Sequence, residues 1–227
     1  MENSQRFRDR IEAGRLLGEE LRQRGYAAGT DVIVLALPRG GVPVGYEVAK
    51  ALHVPLDVFI VRKVGVPGHE ELAMGAIASG GVKVVNQDVL DMLRLPQAMF
   101  EAAARKELLE VERREREYRG NRPRPDLKDK TVILVDDGLA TGSTMLAAVR
   151  AVALMGAERI VVAVPVAAVE TCDAFRSEVD DVICAITPQP FHAVGIWYEN
   201  FEQTSDEEVR RLLAKAREEI EAAQMAK

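Results

Sequence analysis

Short unbroken apolar runs, each followed by a polar loop and then a stretch of helical periodicity, constrain this chain more than any other feature. Residues 32–37 read Val-Ile-Val-Leu-Ala-Leu and stop at Pro38, and a helical pattern follows over 43–52. Residues 131–135, 160–166 and 182–185 repeat the apolar run, with helical patterns over 145–155, closed by Gly156, and over 169–175. A strand that is apolar on successive residues is buried on both faces, and strands alternating with helices run parallel. The expected fold is α/β, a mostly parallel sheet flanked by helices on both faces. Ligands in such sheets bind beyond the carboxyl ends of the strands.

The remaining segments attach to that frame. Residues 5–24 space Phe7, Ile11, Gly14, Leu17 and Leu21 as an amphipathic entry helix that ends at Gly25. Residues 56–61 form another buried strand, after which Arg62 to Glu71 is polar and Gly-rich enough to predict a long mobile loop. Residues 76–85, interrupted by Gly80-Gly81, predict a hairpin or ribbon beside it. Residues 97–119 carry strong helix formers and dense mixed charge, a helix that docks one face and solvates the other. A stiff Asn121-Arg122-Pro123-Arg124-Pro125 connection follows. The tail opens on the capping-box pattern Ser205-Asp206-Glu207-Glu208 and sets Val209, Leu212, Leu213, Ala216 and Ile220 on one face, a docking helix.

Length and composition narrow the function. The 227 residues suit one domain, 1–227. Thirty Lys and Arg against 36 Asp and Glu give a net charge of −6, which disfavours nucleic acid and anionic lipid as partners but not a small anionic substrate. No apolar stretch is long enough to span a membrane and the first residues are charged, so the expected location is the cytoplasm. Cys172 and Cys184 lie among apolar neighbours without a CxxC spacing and read as buried thiols, with no disulfide or zinc site expected.

Chemistry concentrates after the 131–135 run. Asp136 and Asp137 end a buried strand side by side, where they repel unless the pocket supplies something that accepts both, such as sugar hydroxyls or a divalent cation. Ala140-Thr141-Gly142-Ser143-Thr144 then offers small residues, three hydroxyls and the N-terminus of a helix, a cradle for phosphate. Acids for a diol and a cradle for phosphate, a few residues apart, are compatible with a ribose 5-phosphate. A Walker-type loop would need a lysine after Gly142, where this chain has Ser143.

The segment Val132-Ile133-Leu134-Val135-Asp136-Asp137-Gly138-Leu139-Ala140-Thr141-Gly142-Ser143-Thr144 resembles the phosphoribosyl-diphosphate motif of type I phosphoribosyltransferases. It departs from the family pattern at Gly138, where a branched apolar residue is usual. The resemblance extends from about residue 30 to 200 and implies that Asp136 and Asp137 hold the ribose hydroxyls and, with Mg²⁺, the metal side of the substrate, while residues 140–144 wrap the 5-phosphate. It implies a pyrophosphate loop at Pro38-Arg39-Gly40-Gly41, with a cis peptide between Pro38 and Arg39, and a flexible catalytic loop beginning at Arg62-Lys63. Arg62 or Lys63 would neutralise departing pyrophosphate. His69, Glu70 and Glu71 stay unassigned. The family's domain divides into a core, here about 30–185, and a small hood, here the N- and C-terminal segments and the 186–203 loop.

The implied reaction is displacement of pyrophosphate from 5-phosphoribosyl 1-diphosphate by a nitrogenous acceptor, a nucleobase being the expected one. In the Phe191 to Glu199 segment, Trp197, Tyr198 or His192 are candidates to stack on a planar acceptor, and each can equally be packing. The 6-oxopurine enzymes use a lysine at a core strand end, and Val164-Pro165-Val166-Ala167 offers none. A homodimer is an expected assembly. The second reading is a regulator that kept the phosphoribosyl site without turnover.

Overall fold

The computed structural model describes residues 6–27 and 31–225. Residues 5 and 30, where the entry helix and the core are expected to begin, lie outside the described residues. The chain runs α1 (Arg10–Gln23), β1 (Val32–Ala36), α2 (Gly41–Leu52), β2 (Leu56–Val58), β3 (Val61–Val66), β4 (His69–Ala78), β5 (Val82–Val85), α3 (Gln87–Met92) and α4 (Gln97–Arg119). It continues through β6 (Thr131–Val135), α5 (Ser143–Leu154), β7 (Arg159–Val166), α6 (Val169–Phe175), β8 (Asp181–Ile186) and α7 (Asp206–Met225).

The main sheet has the order β2-β1-β6-β7-β8, every neighbour parallel. Its strands are apolar over most of their length because both faces are covered, with Asp57, Thr131, Arg159 and Asp181 the polar exceptions. Val34, Ile133, Val135, Val161 and Ala163 pack with Leu17 and Leu21 of α1 and Val44 and Val48 of α2. Their sequence neighbours Ile33, Leu35, Val132, Leu134 and Val162 pack with Met145, Val149 and Val152 of α5 and with Cys172 and Phe175 of α6. The two-residue alternation of a strand thus sorts one apolar run into two cores. No helix of the described residues is long and apolar enough to cross a membrane.

The segment expected as a mobile loop is instead half of a second sheet, β3-β4-β5, antiparallel throughout. Val64 and Val66 are buried, and Pro67-Gly68 make the turn that returns the chain. Of the polar residues that suggested a loop, Arg62 turns toward α4, whereas Lys63 and residues 69–72 at the tip are exposed. Val64, Val66, Met74 and Ile77 share a core with Phe100, Ala104 and Val111 of α4, so this helix docks one face as its pattern predicts. Its C-terminal end is tied to β2 by Arg119, which donates to both carboxylate oxygens of Asp57, to Glu115 and to the Val58 carbonyl.

One further expectation changes. Cys172 and Cys184 are not thiols but disulfide-bonded to each other; α6 crosses beside β8 and brings their Cα atoms to 6.6 Å, within the range a disulfide spans. The N-terminal segment and the last helix pack on different parts of the molecule. Phe7 and Tyr198 share a small cluster with Val194 and Trp197, whereas α7, capped by the Ser205 hydroxyl accepting from the Glu208 N–H, packs Val209, Leu212 and Leu213 into the core of α4 and the small sheet.

Candidate active site

The carboxyl ends of β1 and β6 present two loops to each other. The loop after β1 contains a cis peptide between Pro38 and Arg39, as the resemblance implies. It lies so close to the acids that a Cβ on Gly40 would collide with Asp137 Oδ2, and one on Gly41 would stand 2.8 Å from the Val135 carbonyl. Only glycine fits at either position. Among the described residues the backbone N–H groups of Arg39 and Gly40 have no acceptor. The Arg39 guanidinium reaches Asp206, at 3.7 Å.

Each acid has one oxygen engaged. Asp136 Oδ1 accepts the Asp137 backbone N–H at 2.8 Å. Asp137 Oδ2 accepts Arg10 Nε at 2.9 Å and Nη2 at 2.8 Å. Asp136 Oδ2 and Asp137 Oδ1 remain uncommitted among the described residues. Burial pushes the Asp136 carboxyl well above the usual carboxylate range, and the neighbouring Asp137 charge adds to this. Burial also raises Asp137, with Arg10 opposing it.

Beyond the acids, Gly142 adopts φ +70° and begins α5 with no side chain capping it. A Cβ there would meet Phe175 at 2.6 Å and Thr171 at 2.9 Å. The N–H groups of residues 141–145 find no acceptor among the described residues, and the Thr141 and Ser143 hydroxyls lie 3.3 Å apart. The loop is braced from α6, whose Thr171 hydroxyl donates to the Ala140 carbonyl at 2.6 Å. Ala140, Thr141 and Ser143 are exposed and Thr144 half-buried, an open cradle of N–H and hydroxyl donors at a helix N-terminus.

Gly138 has a role its departure from the family pattern left open. A Cβ there would approach Val194 Cγ1 to 2.6 Å and Val166 Cγ1 to 3.0 Å. The missing side chain is what lets the Val194–Trp197 turn close over the strand end.

The two basic residues of β3 part company. Arg62 donates from Nε to Glu107 Oε2 at 2.8 Å, facing α4. Lys63 lines a small cavity together with Asn86, Arg150 and Ser143, on the side of the 140–144 loop. The structure therefore groups Lys63, and not Arg62, with the loop residues. Of the aromatic candidates, Tyr198 is 4% exposed, between Phe7 and Phe201, and its hydroxyl donates to the Asp137 carbonyl at 2.6 Å; it is a strut and cannot stack on an acceptor. His192 is exposed. Trp197 is half-buried with an indole N–H that is buried without an acceptor.

Arg10 escaped the sequence reading, because one arginine on a helix rich in Arg and Glu carries no distinguishing pattern. Thr171 likewise sits in an ordinary short helix. Neither shows its role until the fold brings it to a strand end.

The phosphoribosyl transferase domain model matches residues 8–195, and the chain belongs to that family. It is 46% identical over 217 residues to Rv0571c of Mycobacterium tuberculosis (strain ATCC 25618 / H37Rv), named as a candidate phosphoribosyl transferase. The match covers 96% of this chain and 48% of that one, so the chain spans about half the length of the curated relatives it matches. The crystal structure of TT1426 from Thermus thermophilus is similar at 42% identity and a TM-score of 0.83, covering 92% of this chain and 98% of that one.

Proposed function

We propose that this domain binds 5-phosphoribosyl 1-diphosphate across the ends of β1 and β6 and transfers the phosphoribosyl group to a nitrogenous acceptor, releasing pyrophosphate. The observation that carries this reading is the division of labour on one strand end. Two adjacent carboxylates each keep one uncommitted oxygen, matching a pair of neighbouring hydroxyls, and they are followed at once by a loop of unsatisfied N–H groups suited to a phosphate.

The Arg39 and Gly40 N–H groups, facing the acids from the other loop, would take the diphosphate. Lys63, beside the cradle, is the cation placed to meet its growing charge. Arg62 is dropped from that role because Glu107 holds it. Catalysis of this kind rests on holding the reacting carbon between leaving group and nucleophile and on stabilising charge, and it needs no covalent nucleophile.

Magnesium fits as a companion of the substrate. No group of three or more ligating side chains occurs among the described residues, but Asp136 Oδ2 and Asp137 Oδ1 are hard oxygen donors, and a metal bound mainly by diphosphate and water needs few protein ligands. When bound, it would neutralise the diphosphate. The acceptor meets the site from the 186–203 side, where Trp197 and the exposed His192 are the candidates left to contact it. The end of β7 carries Val166 and Ala167 and no lysine, which argues for an acceptor other than a 6-oxopurine.

Calorimetric titration with Mg²⁺ and phosphoribosyl diphosphate tests the site, and pyrophosphate release across purine, pyrimidine and simple amine acceptors tests the transfer. Binding that is abolished in Asp136→Asn/Asp137→Asn, with release for at least one acceptor, is expected. No binding to the unaltered protein refutes the site, and binding without release for any acceptor reduces the domain to a sensor.

A further inference from the structure

Arg10 joins two parts of the molecule that the proposed reaction must coordinate. Its guanidinium gives Nε and Nη2 to Asp137 Oδ2, gives Nη1 to the Glu202 carbonyl at 2.7 Å, and stands over the Phe201 ring with Cζ 3.9 Å from its centroid. The side chain is 11% exposed. Phe201 in turn packs on Tyr198, ring centroids 5.0 Å apart, and abuts Gly195, where a Cβ would come within 2.8 Å of Phe201 Cδ1.

The segment carrying Arg10 is stitched to the same loop. The Phe7 N–H donates to the Trp197 carbonyl, the Glu199 N–H to the Phe7 carbonyl and the Asn200 N–H to the Arg8 carbonyl. One planar cation thus touches the ribose-side acid, the backbone of the 197–202 loop and an aromatic face of that loop. Only a guanidinium can do this, since two of its nitrogens converge on one carboxylate oxygen while its plane meets a ring.

We propose that Arg10 is a positioning residue that couples the acceptor-side loop to the sugar site: it fixes Asp137 so that Oδ1 alone faces the ribose, and it transmits occupancy of that acid to the turn carrying Trp197. This rests on the phosphoribosyl reading of Asp136 and Asp137. It predicts a sugar site and an acceptor loop that are not independent, although among the described residues no hydrogen bond joins the loop to Asp136 Oδ2 or Asp137 Oδ1.

Trp197 is the single tryptophan, so intrinsic fluorescence reports the turn directly, while calorimetry reports binding at the acids. In the unaltered protein, Mg²⁺ with phosphoribosyl diphosphate binds and changes Trp197 emission. Arg10→Gln weakens binding by about tenfold or more, as expected for loss of a forked charged contact, and abolishes the emission change at saturating ligand. Arg10→Lys recovers affinity to within about threefold by restoring a point charge, but not the emission change, because an ammonium cannot hold the acid and lie on the ring together.

Phe201→Leu leaves Arg10 and Asp137 paired and provides a variant that folds if loss of the arginine loosens the N-terminal segment; it retains affinity and loses the emission change. Equal affinity and equal emission change in Arg10→Gln and the unaltered protein would overturn the coupling. An emission change that persists in both Arg10→Lys and Phe201→Leu would do the same. Failure of the unaltered protein to bind the ligand at all is a different result and strikes the phosphoribosyl reading itself.

Discussion

Replacing Gly138 by valine would put back the branched apolar side chain usual in the family motif, and the structure forbids it as it stands. The added Cβ would lie 2.6 Å from Val194 Cγ1, 2.9 Å from Val194 Cγ2 and 3.0 Å from Val166 Cγ1. Carbon atoms in contact rest at about 3.5–4.0 Å, so one side must retreat by roughly 1 Å. Val166 is fully buried in β7 and cannot, which leaves the Val194–Trp197 turn to move. Overpacking of this kind costs about 1–3 kcal/mol, and for a chain of this size each kcal/mol lowers Tm by about 2–4 °C. Thermal denaturation of Gly138→Val is therefore expected to shift down by roughly 2–12 °C, with a red shift of Trp197 emission as the turn lifts. Val194→Gly combined with Gly138→Val removes the obstructing methyl groups and recovers part of the loss, a coupling that a double-mutant cycle reads directly. Additive effects of the two changes, or an unaltered Tm and emission in Gly138→Val, would refute the packing argument.

Other expectations can be checked with the same tools. The Asp136 carboxyl is raised in the fold by burial and by Asp137, so its contribution to stability is full below the unfolded carboxylate range and is lost as pH rises through its folded value. Asp136→Asn, neutral at every pH, should therefore be more stable than the unaltered ligand-free protein at pH 7, by about 1–3 kcal/mol, the lower end of the cost of a buried charge. The gain should vanish on acidification toward pH 4 by chemical denaturation; a gain that is constant with pH would place the cause elsewhere. Arg119→Met leaves Asp57 buried without its ion partner and Glu115 held by Arg124 alone, and should cost about 3–5 kcal/mol in urea unfolding; a loss under 1 kcal/mol would show that the ion pairs are dispensable. Cys172→Ser with Cys184→Ser opens a short closed loop, the two residues being 12 apart, and should cost about 3 kcal/mol by chain entropy. Because α6 also braces the Ala140 carbonyl through Thr171, inorganic phosphate should bind more weakly in that variant. Equal phosphate affinity would confine the disulfide to stability.

How much of this was readable in the chain depends on how local each determinant is. The parallel sheet was legible because strands buried on both faces leave uninterrupted apolar runs, and the cradle because Asp136 through Thr144 is contiguous. The β3–β4 hairpin was not, because the two buried valines, Val64 and Val66, sit among Arg62, Lys63, Gly65 and a Pro-Gly turn, and only α4 docking on them makes that segment a strand. The six-residue α3 falls in a stretch too short to show a period. The Cys172–Cys184 bond has no spacing signature, since it depends on how α6 lies against β8. Arg10 and Tyr198 are decided across more than 60 positions of chain, where no window of sequence could pair them with Asp137.

The small sheet exchanges no strand pairing with the large one, and its tip, residues 69–72, is bare to solvent. Among the described residues, rewriting that tip therefore disturbs no strand pairing of the large sheet that carries Asp136 and Asp137. Variation in such a tip changes the protein's outline while leaving the loops after β1 and β6 as they are.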